Sequence, residues 1–61
     1  MEHMSDVTKV YTVTLPNGKK QLFEETKEGF FYANTSTRAP NFVEGIEKVK
    51  AMGGTVEVKE L

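Results

Sequence analysis

The sequence predicts a small α+β domain: a three- to four-stranded antiparallel sheet, in β-β-β-α-β order, with one helix packed on one face. Three observations support this fold class. Residues 7–15 alternate between β-favouring and polar side chains and lead into a Pro-Asn-Gly turn signal. Apolar residues recur at helical spacing within 39–52. Strand-like alternation returns over 55–61, directly after a Gly-Gly pair.

The first strand, residues 7–15, is rich in the β-branched and aromatic residues that favour β-structure. Its odd positions place Tyr11 and Val13 on one face, and its even positions place mainly threonines on the other. Residues 16–18 then predict a hairpin turn. The turn is either a three-residue loop closed by Gly18 in the left-handed conformation or a two-residue turn on the Asn-Gly pair.

The return strand is predicted over 19–25 and the third strand over 30–33, with a turn over 26–29 between them. Both strands contain adjacent apolar residues, Leu22 with Phe23 in one and three aromatics in the other. Successive side chains of a strand point to opposite faces. At least one aromatic of the third strand is therefore expected to face away from the helix.

The helix is predicted over 39–52, because Phe42, Ile46 and Val49 lie four and three residues apart and form one apolar stripe. An asparagine directly before Phe42 could cap its first turn.

Both ends of this helix carry sequence signals. Asn41 followed by Glu44 has the spacing of a capping box, and Thr37 is the alternative cap. Gly53 is expected to end the helix in the left-handed conformation, and Gly54 to turn the chain into the last strand.

The chain begins Met-Glu-His-Met, and His-Met matches what a common cloning site encodes ahead of a native start. We therefore expect residues 1–3 to be an expression scar and 4–61 to form a single small α+β domain. The formal net charge is -1 for the whole chain, and it becomes zero when Glu2 is left out. His3, the one histidine, would be lost with the scar.

Composition excludes several classes of function. The chain has no cysteine, so it can form neither disulfides nor thiolate metal sites. A net charge of -1 supplies no field that would steer the chain to nucleic acid or to an anionic membrane. No apolar run approaches the ~20 residues of a membrane span. We expect a cytoplasmic protein with no membrane partner.

Few residues are candidates for catalysis or metal binding. Glu24, Glu25 and Glu28 cluster around the second turn, where a polar setting beside Lys27 is expected to keep them solvated. Their spacing also lacks the Asp/Asn-rich pattern and central glycine of a calcium loop. Without a histidine of its own, the chain has no base for a serine nucleophile. The prediction is a protein that is not an enzyme, with no catalytic residue, metal or cofactor.

The sheet face that the helix leaves uncovered is the predicted self-association surface. We expect Val10, Phe23 and Phe31 to lie there. Each buried aromatic is worth about 150–250 Å² of surface, and an apolar patch of several such side chains usually marks an interface. Small folds without disulfides also gain stability by oligomerising. A homodimer through this face is therefore expected.

The predicted function is a small binding protein that acts through protein–protein contacts, as a regulator, inhibitor or assembly factor. Short chains of this kind are often bacterial or phage accessory proteins, which places it in the cytoplasm of the host cell if phage-encoded. The candidate partner-binding residues lie at the hairpin tip, in the second turn and in the loop before the helix: Asn17, Lys19, Lys27, Glu28 and Arg38.

Two alternative functions stay open. One is single-stranded nucleic-acid binding, in which sheet aromatics stack on bases while Lys19 and Lys20 contact phosphates. Residues 29–32 resemble the aromatic signature strand of RNA-recognition motifs, although the β-β-β-α-β order departs from that family. The other alternative is a small-molecule sequestering protein with its pocket at a dimer seam.

The segment after the helix, residues 53–59, resembles the ending of the C-terminal domain of the bacterial ribosomal stalk protein. The preceding hairpins do not follow that family, so no function is carried over from it.

Overall fold

The computed structural model describes residues 7–61, and the predicted expression scar at 1–3 lies outside them. The predicted fold class is confirmed: one helix accompanies a single antiparallel sheet with the spatial order β3-β2-β1-β4. The elements follow in the predicted order: β1 (Lys9–Thr14), β2 (Lys20–Thr26), β3 (Gly29–Tyr32), α1 (Phe42–Ala51) and β4 (Thr55–Glu60).

The β1–β2 hairpin closes through the three-residue loop, one of the two turns that the sequence allowed. The Gly18 N–H donates to the Leu15 carbonyl oxygen at 2.9 Å, and the Leu15 N–H donates to the Lys19 carbonyl oxygen at 2.8 Å. Gly18 has a φ of 92°, the left-handed conformation that this loop requires. The Asn17 side chain also accepts from the Lys19 N–H at 2.9 Å, which further fixes the turn.

The helix begins at Phe42 rather than at residue 39. The physical reason is a tertiary contact: the Ala39 N–H donates to the Phe30 carbonyl oxygen at 2.8 Å, which ties this segment to β3 instead of to the helix. Asn41 does occupy the N-cap position, but its side chain makes no capping hydrogen bond. The predicted capping box with Glu44 is therefore wrong.

The helix ends as predicted, in a left-handed glycine. Gly53 has a φ of 96°, and its N–H donates to the Lys50 carbonyl oxygen at 3.1 Å. The Gly54 N–H donates to the Val49 carbonyl oxygen at 2.8 Å, which completes a Schellman motif. A Cβ on Gly54 would lie 2.5 Å from the Thr14 carbonyl oxygen, so this glycine also permits the close approach of the helix end to β1.

The core beneath the start of α1 is a cluster of aromatic rings. The Phe42 ring lies with its centroid 4.4 Å from that of Phe30 and 4.9 Å from those of both Tyr11 and Phe23. The strand register brings these rings together, since Tyr11 is directly opposite Phe23 and Phe23 is directly opposite Tyr32. The helix thus packs on the face formed by the odd positions of β1.

One residue of the predicted self-association surface lies on the other side of the sheet. Val10 and Phe31 do lie on the face away from the helix, but Phe23 packs against Phe42 on the helix side. In a run of two adjacent apolar residues the sequence cannot decide which one faces inward, whereas the register does. The large apolar residue of β2 that faces away from the helix is Leu22, not Phe23.

Candidate binding groove

A groove of about 470 Å³ runs between α1 and the β1–β2 part of the sheet. Its walls are largely apolar, with Val13 and Leu15 on the β1 side, Phe23 on β2, and Phe42 and Ile46 on the helix. No charged side chain among residues 7–61 lines it. The groove therefore favours an uncharged, apolar occupant over an ion or a phosphate.

The groove exists because of where the helix lies and because one helix position has no side chain. The backbone of α1 lies closest to β1 and β4, which leaves the β2 side of the same face partly open. Gly45 lines the groove, and no heavy atom lies within 4 Å of a Cβ built on it. Ile46, in the middle of the apolar stripe, also lines the groove and is half-buried, whereas Phe42 and Val49 are buried.

Polar groups are few in the groove, and they are amides and a hydroxyl. Gln21, Asn41 and Tyr32 each contribute to the lining. Side-chain amides offer both donors and acceptors and can bond to the peptide groups of a bound chain without adding charge. The groove can thus hold apolar side chains and still form hydrogen bonds to some of the peptide groups of the segment that carries them.

Beside the aromatic cluster, the Tyr11 hydroxyl donates a hydrogen bond to Glu25 Oε1 at 2.7 Å. Burial, this hydrogen bond, and the nearby charges of Glu25 and Glu60 raise the pKa of Tyr11 to about 12. A phenol with so high a pKa stays protonated at neutral pH, so it is a structural donor and a poor proton acceptor. This contact is not predictable from the sequence, because Glu25 and Tyr11 meet only through the pairing of β1 with β2.

The three glutamates of the second turn do not form one acidic cluster. Glu24 is 6 % exposed on the face away from the helix, which corrects the expectation that it is solvated. Glu25 points to the helix face and accepts from Tyr11. Glu28 is exposed in the turn itself. Among residues 7–61, no three His, Cys, Asp or Glu side chains are grouped so that they could hold a metal ion.

The face away from the helix presents less apolar surface than the sequence predicts. Phe31 is only 5 % exposed, and the Arg38 guanidinium carbon lies 5.0 Å from the centroid of its ring. Arg38 is held there by a bridge to Phe31 and by a 2.8 Å hydrogen bond from its Nη1 to the Glu28 carbonyl oxygen. Leu22, at 46 % exposed, is the large apolar side chain that this face leaves open.

The predicted partner-binding residues fall into two groups at opposite ends of β2. Asn17 and Lys19 lie at the tip of the first hairpin, whereas Lys27, Glu28 and Arg38 lie around the second. The seven residues of β2 separate these ends by roughly 20 Å. The five residues therefore do not form a single surface, and a role for either group in binding stays a prediction.

Two of the three aromatic rings of β3 offer little surface on which bases could stack. Phe31 is buried, and Phe30 is half-buried with its ring stacked on Phe42. Lys19 and Lys20 lie at the far end of β2 from Phe30. The third ring, that of Tyr32, is 39 % exposed, so base stacking on β3 is reduced to this ring and nucleic-acid binding stays a prediction.

Comparisons with protein-family models, with curated proteins and with solved structures found no match to this chain. Within residues 7–61, α1 is too short and too polar to span a membrane. The groove is therefore interpreted from its own geometry. The groove was not among the predicted sites, although Gly45, a glycine inside an amphipathic helix, is a sequence signal for such a gap.

Proposed function

We propose that the protein is a small non-catalytic binding protein that holds an uncharged, apolar segment of another protein in the groove between α1 and β2. The observation that carries this proposal is the lining: two apolar walls, no charged side chain from residues 7–61, and a volume of about 470 Å³. Sites that bury a ligand have volumes of roughly 300–1,000 Å³ and few polar groups.

The lining also indicates the chemistry of the partner. Phe23, Tyr32 and Phe42 present aromatic rings to the groove, and an added aromatic side chain in an edge-to-face or offset arrangement gains about 0.5–1.5 kcal/mol beyond the area it buries. Gln21 and Asn41 can bond to peptide groups of the same segment. We expect a neutral segment with an aromatic or branched anchor residue.

A protein of this kind acts by occupying its partner, as a regulator, inhibitor or assembly factor does. Nucleic-acid binding has less support, because Phe31 is buried and Phe30 is stacked against the helix.

Gly45→Glu provides a direct test of the groove. The new side chain meets no atom within 4 Å at its Cβ, and glutamate is a better helix former than glycine, so the fold is expected to persist. Because Gly45 lines the groove, the longer side chain would place bulk and a negative charge at the groove's mouth. Ala51→Glu is the matched control, since it adds the same charge at an exposed position of α1 outside the groove.

The assay selects peptides from a random display library on the immobilised protein. We expect neutral peptides with aromatic or branched anchors, which lose at least about tenfold in affinity on Gly45→Glu, or about 1.4 kcal/mol, and bind Ala51→Glu unchanged. Selected peptides that bind Gly45→Glu as well as the unaltered protein would overturn the proposal. A small molecule that co-purifies and is released by Gly45→Glu, seen as added mass in native mass spectrometry, would assign the groove to a small ligand instead.

A further inference from the structure

The two edges of the sheet differ in whether their backbone groups have partners. At the β3 edge, the Tyr32 N–H donates to the Thr37 carbonyl oxygen at 3.0 Å, and the Phe30 carbonyl oxygen accepts from the Ala39 N–H at 2.8 Å. The segment leading to α1 thus covers this edge. β4 is the other edge, and no strand from residues 7–61 pairs with its outer side.

The register shows which groups of β4 face outward. The Leu61 N–H donates to the Thr8 carbonyl oxygen at 3.0 Å, so the odd-numbered positions of this strand bond to β1. Because bonding direction alternates along an antiparallel strand, Val56, Val58 and Glu60 point their N–H and C=O groups away from the sheet. Nothing within residues 7–61 bonds to these outward groups.

We propose that β4 pairs antiparallel with β4 of a second copy of this chain, around a two-fold axis at Val58, so that the two sheets join into one of eight strands. In this register Val58 lies opposite Val58 of the second copy, and Val56 lies opposite Glu60. All three residues have outward backbone groups, so each of these pairs forms two N–H···O=C hydrogen bonds. The interface is the same patch on both copies, as a two-fold contact requires.

Charge complementarity selects this register. With Val58 at the axis, Glu57 of each copy lies directly opposite Lys59 of the other, in the close, non-hydrogen-bonded type of pair. A shift of the axis by one residue places Glu57 opposite Glu57 or Lys59 opposite Lys59, which brings like charges together. Charged residues on an edge strand usually oppose pairing with another strand. Here Glu57 and Lys59 disfavour the shifted registers and favour the register centred on Val58.

Across β1, the residues directly opposite Glu57 and Lys59 in the same copy do not provide these charge pairs. Within the sheet, Glu57 lies opposite Thr12 and Lys59 opposite Val10, neither of which is charged. Val58 points to the helix face, directly opposite Tyr11 of β1. Although Tyr11 belongs to the aromatic cluster, Val58 is 51 % exposed. The second copy would cover this apolar side chain with its own Val58.

This dimer differs from the one expected from the sequence, which used the face of Val10 and Phe31. It is also independent of the groove function, because no residue of β4 lines the groove. Binding of an apolar peptide and self-association can therefore be tested, and can fail, separately.

The test is sedimentation equilibrium of the full chain over micromolar to submillimolar concentrations. We expect a monomer–dimer equilibrium that Lys59→Glu weakens roughly tenfold or more, because both Glu–Lys pairs become Glu–Glu pairs. The double variant Glu57→Lys with Lys59→Glu inverts both charges and should restore the dimer. Since the residues opposite on β1 are uncharged, the swap leaves the monomer's own pairing unchanged.

Amide hydrogen exchange provides a second readout that does not depend on any variant. The amides of Val56, Val58 and Glu60 should exchange more slowly as concentration rises, whereas those of Glu57 and Lys59 already bond to β1 and should respond less. Any of three results would overturn the proposal: a monomer at all concentrations, a dimer unaffected by Lys59→Glu, or exchange rates of the outward amides that do not change with concentration. A dimer lost on Leu22→Glu but kept in Lys59→Glu would assign the contact to the sheet face instead.

Discussion

Tyr11 links the aromatic core to the charged end of the sheet through its 2.7 Å hydrogen bond to Glu25. Because its pKa rises from 10.0 to about 12 on folding, mainly by burial, the folded state favours the protonated phenol. This contribution to stability is complete below pH 10 and is lost as the pH rises towards 12. We expect the free energy of unfolding, measured by urea titration, to fall over this range.

Tyr11→Phe is the control for that prediction. The variant has no hydroxyl to ionise, so the part of the alkaline loss of stability that Tyr11 causes should disappear. An equal loss of stability in Tyr11→Phe and in the unaltered protein would contradict this account of the hydrogen bond.

The two glycines after α1 have different structural roles, so replacing them should lower the stability by different amounts. Gly54→Ala places a Cβ 2.5 Å from both the Thr14 carbonyl oxygen and Val49 Cγ1, so we expect a loss of about 2–3 kcal/mol from overpacking against backbone. Gly53→Ala meets open space and suffers only from its φ of 96°, which costs about 1 kcal/mol. Urea unfolding gives both values, and a reversed order would contradict the close packing of the helix end on β1.

At the scale of elements, α1 carries a glycine where its own stability would favour another residue. Gly45 lies in the helix interior with nothing within 4 Å of its Cβ position, so Gly45→Ala should stabilise the protein by about 0.5–1 kcal/mol. The measurement is again the midpoint of urea unfolding. A destabilised Gly45→Ala would mean that the space beside this position is filled, which contradicts the groove as described.

The elements that the sequence predicted well are those determined by local turn chemistry. The loop closed by Gly18 and the left-handed Gly53 each depend on a few neighbouring residues, and both are found as expected. The predicted start of α1 was wrong, because the Ala39 N–H donates a hydrogen bond to the carbonyl oxygen of Phe30, which lies nine residues away in β3. The predicted sheet face of Phe23 was wrong, because only the pairing of β2 with β1 determines which of Leu22 and Phe23 faces the helix.

The candidate site was less predictable than the fold for the same reason. The sequence identifies Phe42 and Ile46 as one apolar stripe, but the groove beside Ile46 depends on how far α1 lies towards β4. Helix propensity and alternation carry no information about that offset. The cover that Arg38 gives Phe31 likewise depends on a bridge between a loop and a strand.

At the scale of the whole molecule, the core is small and divided between the two sides of the sheet. Of residues 7–61, five apolar residues are buried, and none has a side chain below 2 % exposure. Small domains bury only ~60 % of their unfolded surface, so added contacts matter. The groove and the outer edge of β4 are two separate places where another chain can supply them.

The most direct test of the groove as the binding site is a two-dimensional NMR titration of isotope-labelled protein with a neutral peptide selected on it. The account predicts that the largest amide shifts fall on groove residues such as Phe23, Gly45 and Ile46, and that Gly45→Glu abolishes them. Shifts centred instead on the hairpin ends, around Lys19 or Lys27, and retained in Gly45→Glu would contradict it.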